Sequence, residues 1–586
     1  MNVGNELSFE LGKYQKRVDQ RLIQMQDHGY VQKLWDIEEN IWHLRGEQFN
    51  VSNAYTGWLD VVEKMISAVP MIEEFYQSVV RAGFNHVVLL GMGGSSMAPL
   101  VFQNTFKNLQ GIKMTVLDST DPETIRKVEN EIILSSTLFI VSSKSGNTAE
   151  VMAFYDYFFN KLFKIKEERA GQNFIAITDE GSPLAGLARR KKFRKTFLNF
   201  AGIGGRYSAL SYFGIVPAAL MGVDIKEFLD RTLQMVRACG PNIPVRQNPG
   251  VVLGAVLGEL AEAGCDKLTY LLPESLSTFG LWIEQLLAES TGKMGKGILP
   301  VDGSPLMEAD MYGKDRVFVQ VEFSGKQNIE QSQKLESLIS MKFPVINIVI
   351  EDAMDLGKEF FKWEIATATA GYVLEINPFD QPNVQESKTI TGQLLKKIEK
   401  EGKLPDLDLS LVEDGLKYYS TIKSENGFDL LTEFFSLMEE GDYISLQAYL
   451  PQNFSIDQSL KDLQTILQKN LHVAVTTEYG PRYLHSTGQF HKGGPNKGIF
   501  VQFVCSTDMD IQIPDQKFSF ESLKRAQAFG DREALSNHNR RVLLVDLGAD
   551  VIKGLNTFKQ MMEKIQPELE RDPVRVDEFV NQTATI

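Results

Sequence analysis

Two loops rich in glycine and hydroxyl side chains are the first places in this sequence where chemistry could occur. Residues 91–96 (Gly-Met-Gly-Gly-Ser-Ser) and residues 142–148 (Ser-Ser-Lys-Ser-Gly-Asn-Thr) each follow a short apolar run and precede a predicted helix. Small residues let a ligand approach the backbone, the helix start supplies unpaired N–H groups, and the hydroxyls add donors. Both loops are therefore candidate cradles for a phosphate group.

Neither loop matches a common nucleotide-binding motif. The GK[ST] ending of a P-loop is missing, and a GxGxxG fingerprint would need glycine where the first loop has Ser96. An ordinary βα turn capped by Ser or Thr is the alternative for either loop alone. Two such loops in one predicted sheet favour phosphate binding.

Four segments then resemble the glucose-6-phosphate isomerase family, which has the sugar isomerase (SIS) fold. The second loop, with Glu150 just after it, resembles the SIS phosphate loop. Residues 204–208 (GGRYS), residues 285–293 (QLLAESTGK) and residues 377–381 (NPFDQ), with Lys388 seven residues later, follow in the family's order. The resemblance covers about residues 80–400 and part of the C-terminal region.

The isomerase half of transaldolase–isomerase fusion proteins is the nearest resemblance. It extends to residues 57–60 (GWLD) and residues 483–494. About 80 residues precede the isomerase-like region, far short of the ~250 of a (β/α)8 barrel, so no transaldolase barrel is expected.

The resemblance implies aldose–ketose isomerisation of glucose 6-phosphate and fructose 6-phosphate, without a metal or other cofactor. Such a reaction needs a base to move one proton between C1 and C2 and a group to stabilise the enediolate. Glu289 matches the family's base, and Arg206 matches the arginine that faces the oxyanion. Lys388 matches the lysine that opens the sugar ring together with a histidine.

The binding residues are also implied by the resemblance. The phosphate would be held by Ser143, by Lys144 through its backbone N–H, and by Ser145 and Thr148. The other matching substrate contacts are Gly94, Ser95, Glu150, Gln285 and Gln381.

The histidine departs from the family's order. The family's histidine lies between the catalytic Glu and Lys, but no histidine occurs between Glu289 and Lys388. Bacterial members carry a segment resembling LHS-x-GQ around this histidine, and residues 484–489 (LHSTGQ) have it. We therefore predict His485 as a relocated ring-opening group and His491 as the alternative; a loop histidine without a catalytic role is the competing interpretation.

The elements that must position these residues have the pattern of an α/β protein. Short apolar runs alternate with helical stretches from residue 86 onward, which predicts doubly wound, mainly parallel sheets. We expect a helical arm (1–80), a first SIS domain (81–245) and a second SIS domain (246–586). The second would include an irregular connector at about 403–460 and the relocated histidine-bearing segment at about 470–566.

Composition limits the partners. The 586 residues carry 61 Lys and Arg against 76 Asp and Glu, a net charge of −15. The sequence therefore has no excess of basic residues of the kind that binds nucleic acid.

No apolar run reaches membrane-spanning length, and no secretory signal is expected. Three scattered cysteines predict neither disulfides nor a zinc site, and therefore a reducing, cytoplasmic compartment. The resemblance implies a homodimer.

Three other functions compete with this interpretation. A dual phosphoglucose/phosphomannose isomerase would use the same site. A non-catalytic sugar-phosphate-binding regulator is disfavoured by the intact Glu289, Arg206 and Lys388. An amino-sugar phosphate isomerase is disfavoured by residues 204–208 and 377–381.

Overall fold

Helices and strands alternate along most of the chain in the computed structural model. It describes residues 2–3, 6–38, 41–42, 55–326, 329–507 and 509–565. The helices in these residues are α1 (Gln15–Asp27), α2 (Tyr30–Trp35), α3 (Val61–Arg81), α4 (Met97–Thr105), α5 (Pro122–Asn130), α6 (Ala149–Lys166), α7 (Pro183–Arg190), α8 (Tyr212–Leu220), α9 (Ile225–Ala238), α10 (Pro249–Glu262), α11 (Phe279–Thr291), α12 (Ile329–Ser340), α13 (Leu356–Leu374), α14 (Val384–Glu401), α15 (Gly427–Ser436), α16 (Phe454–Leu471), α17 (Gly488–Gly493), α18 (Phe520–Asn537) and α19 (Val551–Met562). The strands are β1 (Asn2–Val3), β2 (Leu7–Glu10), β3 (His86–Leu90), β4 (Lys113–Leu117), β5 (Thr137–Ser142), β6 (Phe174–Thr178), β7 (Lys195–Leu198), β8 (Lys267–Leu271), β9 (Leu299–Val301), β10 (Arg316–Phe323), β11 (Val345–Ile350), β12 (Leu411–Glu413), β13 (Leu416–Tyr419), β14 (Tyr443–Tyr449), β15 (Ala474–Tyr479), β16 (Gly498–Val504) and β17 (Arg541–Asp546).

These strands form three sheets rather than the two predicted. The first has the order β4-β3-β5-β6-β7 and is entirely parallel. The second has the order β1-β2-β11-β10-β8-β9, and the third has the order β12-β13-β17-β16-β14-β15. Their first two strands are antiparallel additions to four parallel strands. The prediction of mainly parallel α/β sheets is confirmed.

The parallel strands share one topology in all three sheets. In each, the first parallel strand lies between the second and the third. In such open sheets, ligands bind at the carboxyl ends of the strands where the winding direction reverses. In the first sheet this point lies between β3 and β5, and these strands lead directly into the two glycine- and hydroxyl-rich loops.

The prediction of an irregular connector at residues 403–460 is wrong. This stretch contains β12, β13, α15, β14 and the start of α16, and every residue of β14 is buried. Polar residues at Ser445 and Gln447 interrupt the apolar pattern of β14 and hid the strand. Both are buried and hydrogen-bonded: Ser445 donates to Glu478 (3.4 Å), and Gln447 accepts from Tyr483 (3.1 Å).

The predicted N-terminal arm is helical only in part. Helices α1 and α3 are present, but β2 pairs antiparallel with β11 and extends the second sheet. Arg17 and Arg21 of α1 pair with the buried Glu259 of α10, which attaches the arm to the second sheet's helices. Residues 43–54 of this arm and residue 566 of the predicted C-terminal segment lie outside the described residues.

One hydrophobic core runs beneath the first two sheets, and the third sheet has its own. An aromatic cluster in the larger core joins motifs that are distant in sequence. Trp58 stacks on Tyr207 with ring centroids 5.1 Å apart, and Tyr207 packs against Phe379 at 5.3 Å. Residues 57–60, 204–208 and 377–381 are thereby held together. Within the described ranges, none of the helices combines the length and the apolar character needed to cross a membrane.

Candidate active site

The first glycine loop contacts two other segments of the site. Gly93 has φ +53°, and a side chain on Gly94 would lie 2.0 Å from the carbonyl oxygen of Gly205. A side chain on Gly93 would lie 2.9 Å from the Cβ of His485. These two positions therefore need glycine because the loop backbone touches both the 204–208 loop and the His485 segment. The carbonyl of Ser95 accepts a hydrogen bond from Ser142 at 2.9 Å, which joins the two loops.

The second loop gathers its hydroxyls at the start of α6. The Ser143 and Thr148 hydroxyls lie 2.9 Å apart, and the Gly146 N–H donates to Ser143 at 3.1 Å. Gly146 has φ +70°, and its absent side chain would lie 2.7 Å from the backbone nitrogen of Leu184. The loop is compact, and the unpaired N–H groups of the first α6 turn lie beside its hydroxyls.

The remaining polar side chains of this loop are partly engaged with neighbours. Ser145 donates to Asn147 at 2.6 Å, and the Lys144 ammonium lies 3.7 Å from Asp179. The Lys144 ammonium is thus paired with a carboxylate, which leaves its backbone N–H as the group for an anion.

Arg206 is the most thoroughly fixed charge in the site. Its guanidinium is buried and lies 3.2 Å from the Glu289 carboxylate. Its other partners are the Ser290 hydroxyl (2.6 Å), the Gln381 amide oxygen (3.0 Å), and the carbonyls of Pro378 (2.8 Å) and Asp380 (3.0 Å). Three of the four segments that carry the resemblance therefore meet at one guanidinium: residues 204–208, 285–293 and 377–381.

Gln285 connects this pair to the histidine segment. It lies one turn before Glu289 on α11, and its Nε2 donates to Glu289 Oε2 at 3.1 Å. The same nitrogen donates to the backbone carbonyl of His485 at 2.9 Å. The Gln285 amide oxygen is buried and has no hydrogen-bond partner among the described residues. It is thus an open acceptor beside Glu289.

His485 is paired with Glu150. Its Nε2 lies 2.9 Å from Glu150 Oε1, which also accepts from Gln527 at 2.7 Å. Burial acts to raise the pKa of the Glu150 carboxyl, but attraction to His485, the hydrogen bond to it and the nearby charge of Lys388 together lower that pKa. The carboxylate is therefore charged at neutral pH.

A cavity of about 400 Å³ brings the predicted ring-opening and phosphate groups together. Its lining includes Ser145, Thr148, Glu150, Lys388 and His485. Lys388 and His485 come from α14 and from the turn before α17, yet they face one space. The predicted alternative, His491, is buried against Glu478 (2.8 Å) and the Tyr443 hydroxyl (2.9 Å) and does not line this cavity.

Lys293 is a buried residue of the site that the sequence motifs did not single out. It is buried, donates to the Asn377 carbonyl at 2.6 Å and lies 2.9 Å from the Asp380 carboxylate. Burial, together with the neighbouring Arg206, lowers the pKa of this ammonium to about 7. Its occurrence in the matched QLLAESTGK segment was the available signal.

A sequence model described as "Phosphoglucose isomerase" matches residues 52–298. This range contains both glycine loops, Arg206 and Glu289, whereas Lys388 and His485 lie beyond it. A probable glucose-6-phosphate isomerase of Methanococcus maripaludis is 27% identical over 397 residues, which are 60% of this chain and 87% of that protein. Glucose-6-phosphate isomerase of Methanocaldococcus jannaschii is 25% identical over 347 residues, which are 54% of this chain and 85% of that protein.

Two solved structures share the fold. A glucose-6-phosphate isomerase from Chlamydia trachomatis superimposes with a TM-score of 0.56 at 19% identity, over 67% of this chain and 89% of its own. A hypothetical protein from Thermus thermophilus superimposes with a TM-score of 0.57 at 22% sequence identity. The match covers 66% of this chain and 99% of that protein. With the sequence matches and the three motifs meeting at Arg206, these findings confirm the predicted resemblance to the phosphoglucose isomerase family.

Proposed function

We propose that this protein interconverts D-glucose 6-phosphate and D-fructose 6-phosphate through ring opening and a cis-enediolate. The observation that carries the proposal is the buried Arg206–Glu289 pair at 3.2 Å, connected through Gln285 to the His485 segment. A fixed cation beside a carboxylate is what a proton-transfer site for an enediolate needs. The named activity of the relatives is the same interconversion.

The substrate phosphate docks on the second loop. Its oxygens accept from the hydroxyls of Ser143, Ser145 and Thr148 and from backbone N–H groups, including that of Lys144. The positive end of α6 adds to this attraction. Because the protein carries a net charge of −15, the attraction of a dianion is local rather than global.

Ring opening takes place between His485 and Lys388. The anomeric hydroxyl loses its proton, the ring oxygen gains one, and the C1–O5 bond breaks to give the open-chain aldehyde. Glu150 holds the imidazole in place by its contact with Nε2. Lys388 supplies a second cation in the same cavity.

Isomerisation follows at Glu289. Its carboxylate takes the C2 proton, and the electron pair forms the C1=C2 bond of the enediolate, whose oxyanion faces Arg206. A proton passes from O2 to O1, and Glu289 returns its own proton to C1. Gln285, Gln381, Gly94 and Ser95 are the remaining groups that we assign to contacts with the sugar. These steps move protons only, so the proposal includes no metal and no redox cofactor.

We further propose a homodimer that acts in the cytoplasm on a small sugar phosphate. The resemblance to the family supports the dimer, and the three cysteines, all free and buried, support a reducing compartment.

A coupled assay that converts fructose 6-phosphate to glucose 6-phosphate tests the proposal. Wild-type protein should turn over, and Glu289→Gln should lower kcat by about 10²–10⁴-fold, as expected for loss of a general base, while fructose 6-phosphate still binds. Mannose 6-phosphate run in parallel identifies a dual isomerase. Wild-type protein that binds fructose 6-phosphate without converting it would establish the regulator instead.

A further inference from the structure

One carboxylate outside the proposed catalytic set contacts both segments that carry the ring-opening groups. Asp531 lies on α18 and is fully buried. Its Oδ1 accepts from Ser387 (3.1 Å) and from the Lys492 ammonium (2.8 Å). Its Oδ2 accepts from the Tyr483 hydroxyl (2.7 Å) and from Gln502 (3.3 Å). Four donors from three segments, namely α14, residues 483–494 and β16, therefore converge on one side chain.

The donors to Asp531 are neighbours of the ring-opening groups in sequence. Ser387 immediately precedes Lys388 on α14, and Tyr483 lies two residues before His485. One oxygen of Asp531 is bonded to the Lys388 helix, and the other is bonded to the His485 turn. A shift of Asp531 would therefore change the distance between Lys388 and His485.

The same face of α18 also supports Glu150. Gln527 lies one turn before Asp531, so both side chains are on one side of the helix. Its amide nitrogen donates to Glu150 at 2.7 Å, and its amide oxygen accepts from Thr120 at 2.9 Å. Glu150 in turn contacts His485. Glu150, the carboxylate partner of His485, is thus also held by α18.

Helix α18 lies close enough to α14 to act as a rigid support. A side chain on Gly530, the residue before Asp531, would lie 2.7 Å from the Thr391 hydroxyl and 3.1 Å from its backbone nitrogen. Thr391 is one turn after Lys388 and lines the same cavity. The close approach leaves little freedom for α14 to move relative to α18.

We propose that Asp531 is a positioning residue for sugar ring opening, which holds the Lys388 helix and the His485 turn at their working separation. This inference rests on the proposed function. Asparagine cannot replace Asp531, because one of the two carboxylate oxygens becomes an NH2 group. Each oxygen accepts from two donors, so in either orientation of the amide the NH2 group would face donors instead of acceptors. Loss of the carboxylate also leaves the buried Lys492 unpaired.

The test separates ring opening from isomerisation. Exchange between the α and β anomers of glucose 6-phosphate, followed by NMR exchange spectroscopy, measures ring opening alone. The coupled assay measures isomerisation. Binding of D-glucitol 6-phosphate, an open-chain sugar phosphate, measures whether the phosphate loop and the rest of the site are intact.

Asp531→Asn should slow enzyme-catalysed anomer exchange by at least about tenfold, since small displacements of reacting groups are costly. Its affinity for D-glucitol 6-phosphate should stay within about threefold of wild type, because the phosphate loop is not touched. Glu359→Gln is the matched control: it removes the charge from another buried pair, Glu359–Lys362 at 2.6 Å. It should keep anomer exchange within about twofold while lowering the melting temperature.

Ser387→Ala and Tyr483→Phe each remove one donor to Asp531 without changing the charge. They test the positioning role of Asp531 if Asp531→Asn does not fold. Each should slow anomer exchange by about threefold or more, in keeping with loss of one hydrogen bond. Exchange within about twofold of wild type in Asp531→Asn, or in both milder variants, overturns the proposal.

Wild-type protein that accelerates neither exchange nor isomerisation overturns the proposed function, and this inference with it. Glu289→Gln should keep exchange and lose isomerisation.

Discussion

The guanidinium of Arg206 lies 3.2 Å from the carboxylate of Glu289, and both groups are almost completely withdrawn from solvent. A charged pair in such surroundings interacts more strongly than it would in water. Four further contacts to Arg206 hold the cation in place before any substrate arrives. In the proposed mechanism, the stabilisation of a developing oxyanion would therefore require little reorganisation.

Arg206→Lys should lower kcat by about 10²–10³-fold with a small effect on KM. A lysine keeps the charge but cannot bond Ser290, Gln381 and the two carbonyls at once. Steady-state kinetics with glucose 6-phosphate measure this. The outcome that contradicts the assigned role is a lysine variant with near-normal kcat. Lys226→Arg, at an exposed helix pair, is the control and should leave kcat unchanged.

Lys293 should impose an alkaline limb on the activity. The pKa of this ammonium is lowered to about 7, so its charge is lost as the pH rises through that value. Less positive potential then faces the enediolate near Arg206, and kcat should fall. Lys293→Arg stays charged and should lack the limb near pH 7, whereas Lys293→Met should show low, flat activity across pH 6–9. If the fall in kcat near pH 7 persists unchanged in both variants, another group is responsible for it.

Glu150 should contribute stability that depends on pH. The pKa of its carboxyl is lowered in the folded protein from an ordinary value of 4.5. The folded state therefore binds fewer protons than the unfolded state between the two values. The contribution is fully present above about pH 4.5 and is lost as the pH falls through the lower folded pKa.

Urea unfolding of wild type and Glu150→Gln at several pH values tests this. The difference in the free energy of unfolding should be constant above about pH 5 and shrink as the solution becomes more acidic. A difference that stays constant down to pH 3 would show that the carboxylate charge has no part in it. Glu274→Gln, at a glutamate whose side chain is 96% exposed, should show no such trend.

Gly94→Ala should destabilise the protein by about 1–3 kcal/mol, because the new methyl group would lie 2.0 Å from the Gly205 carbonyl oxygen. Gly205→Ala is the matched control, since a methyl group there meets nothing within 4 Å. Chemical denaturation of both variants measures the free energies of unfolding. Equal stability of the two variants would contradict the close contact between these loops.

The sequence by itself determined the local parts of the site. A phosphate loop is a strand, a short run of small residues and a helix start, and its conformation depends on neighbours in the chain. Residue types such as Glu289, Arg206 and Lys388 could be recognised within short motifs for the same reason. The parallel α/β arrangement also followed from local alternation of apolar runs and helices. The expectation of only two sheets was wrong because the polar, hydrogen-bonded interior of β14 does not have an apolar pattern.

Only the tertiary structure decided which of these parts meet. The sequence suggested His485 by its motif, but its contact with Glu150 and its shared cavity with Lys388 depend on how three distant segments pack. Asp531 carries no recognisable motif, because an aspartate on a helix is usually a solvated charge. Its importance comes from four donors that converge on it in a buried space. Such convergence depends on the packing of α18 against α14, where many weak contacts between distant residues add together.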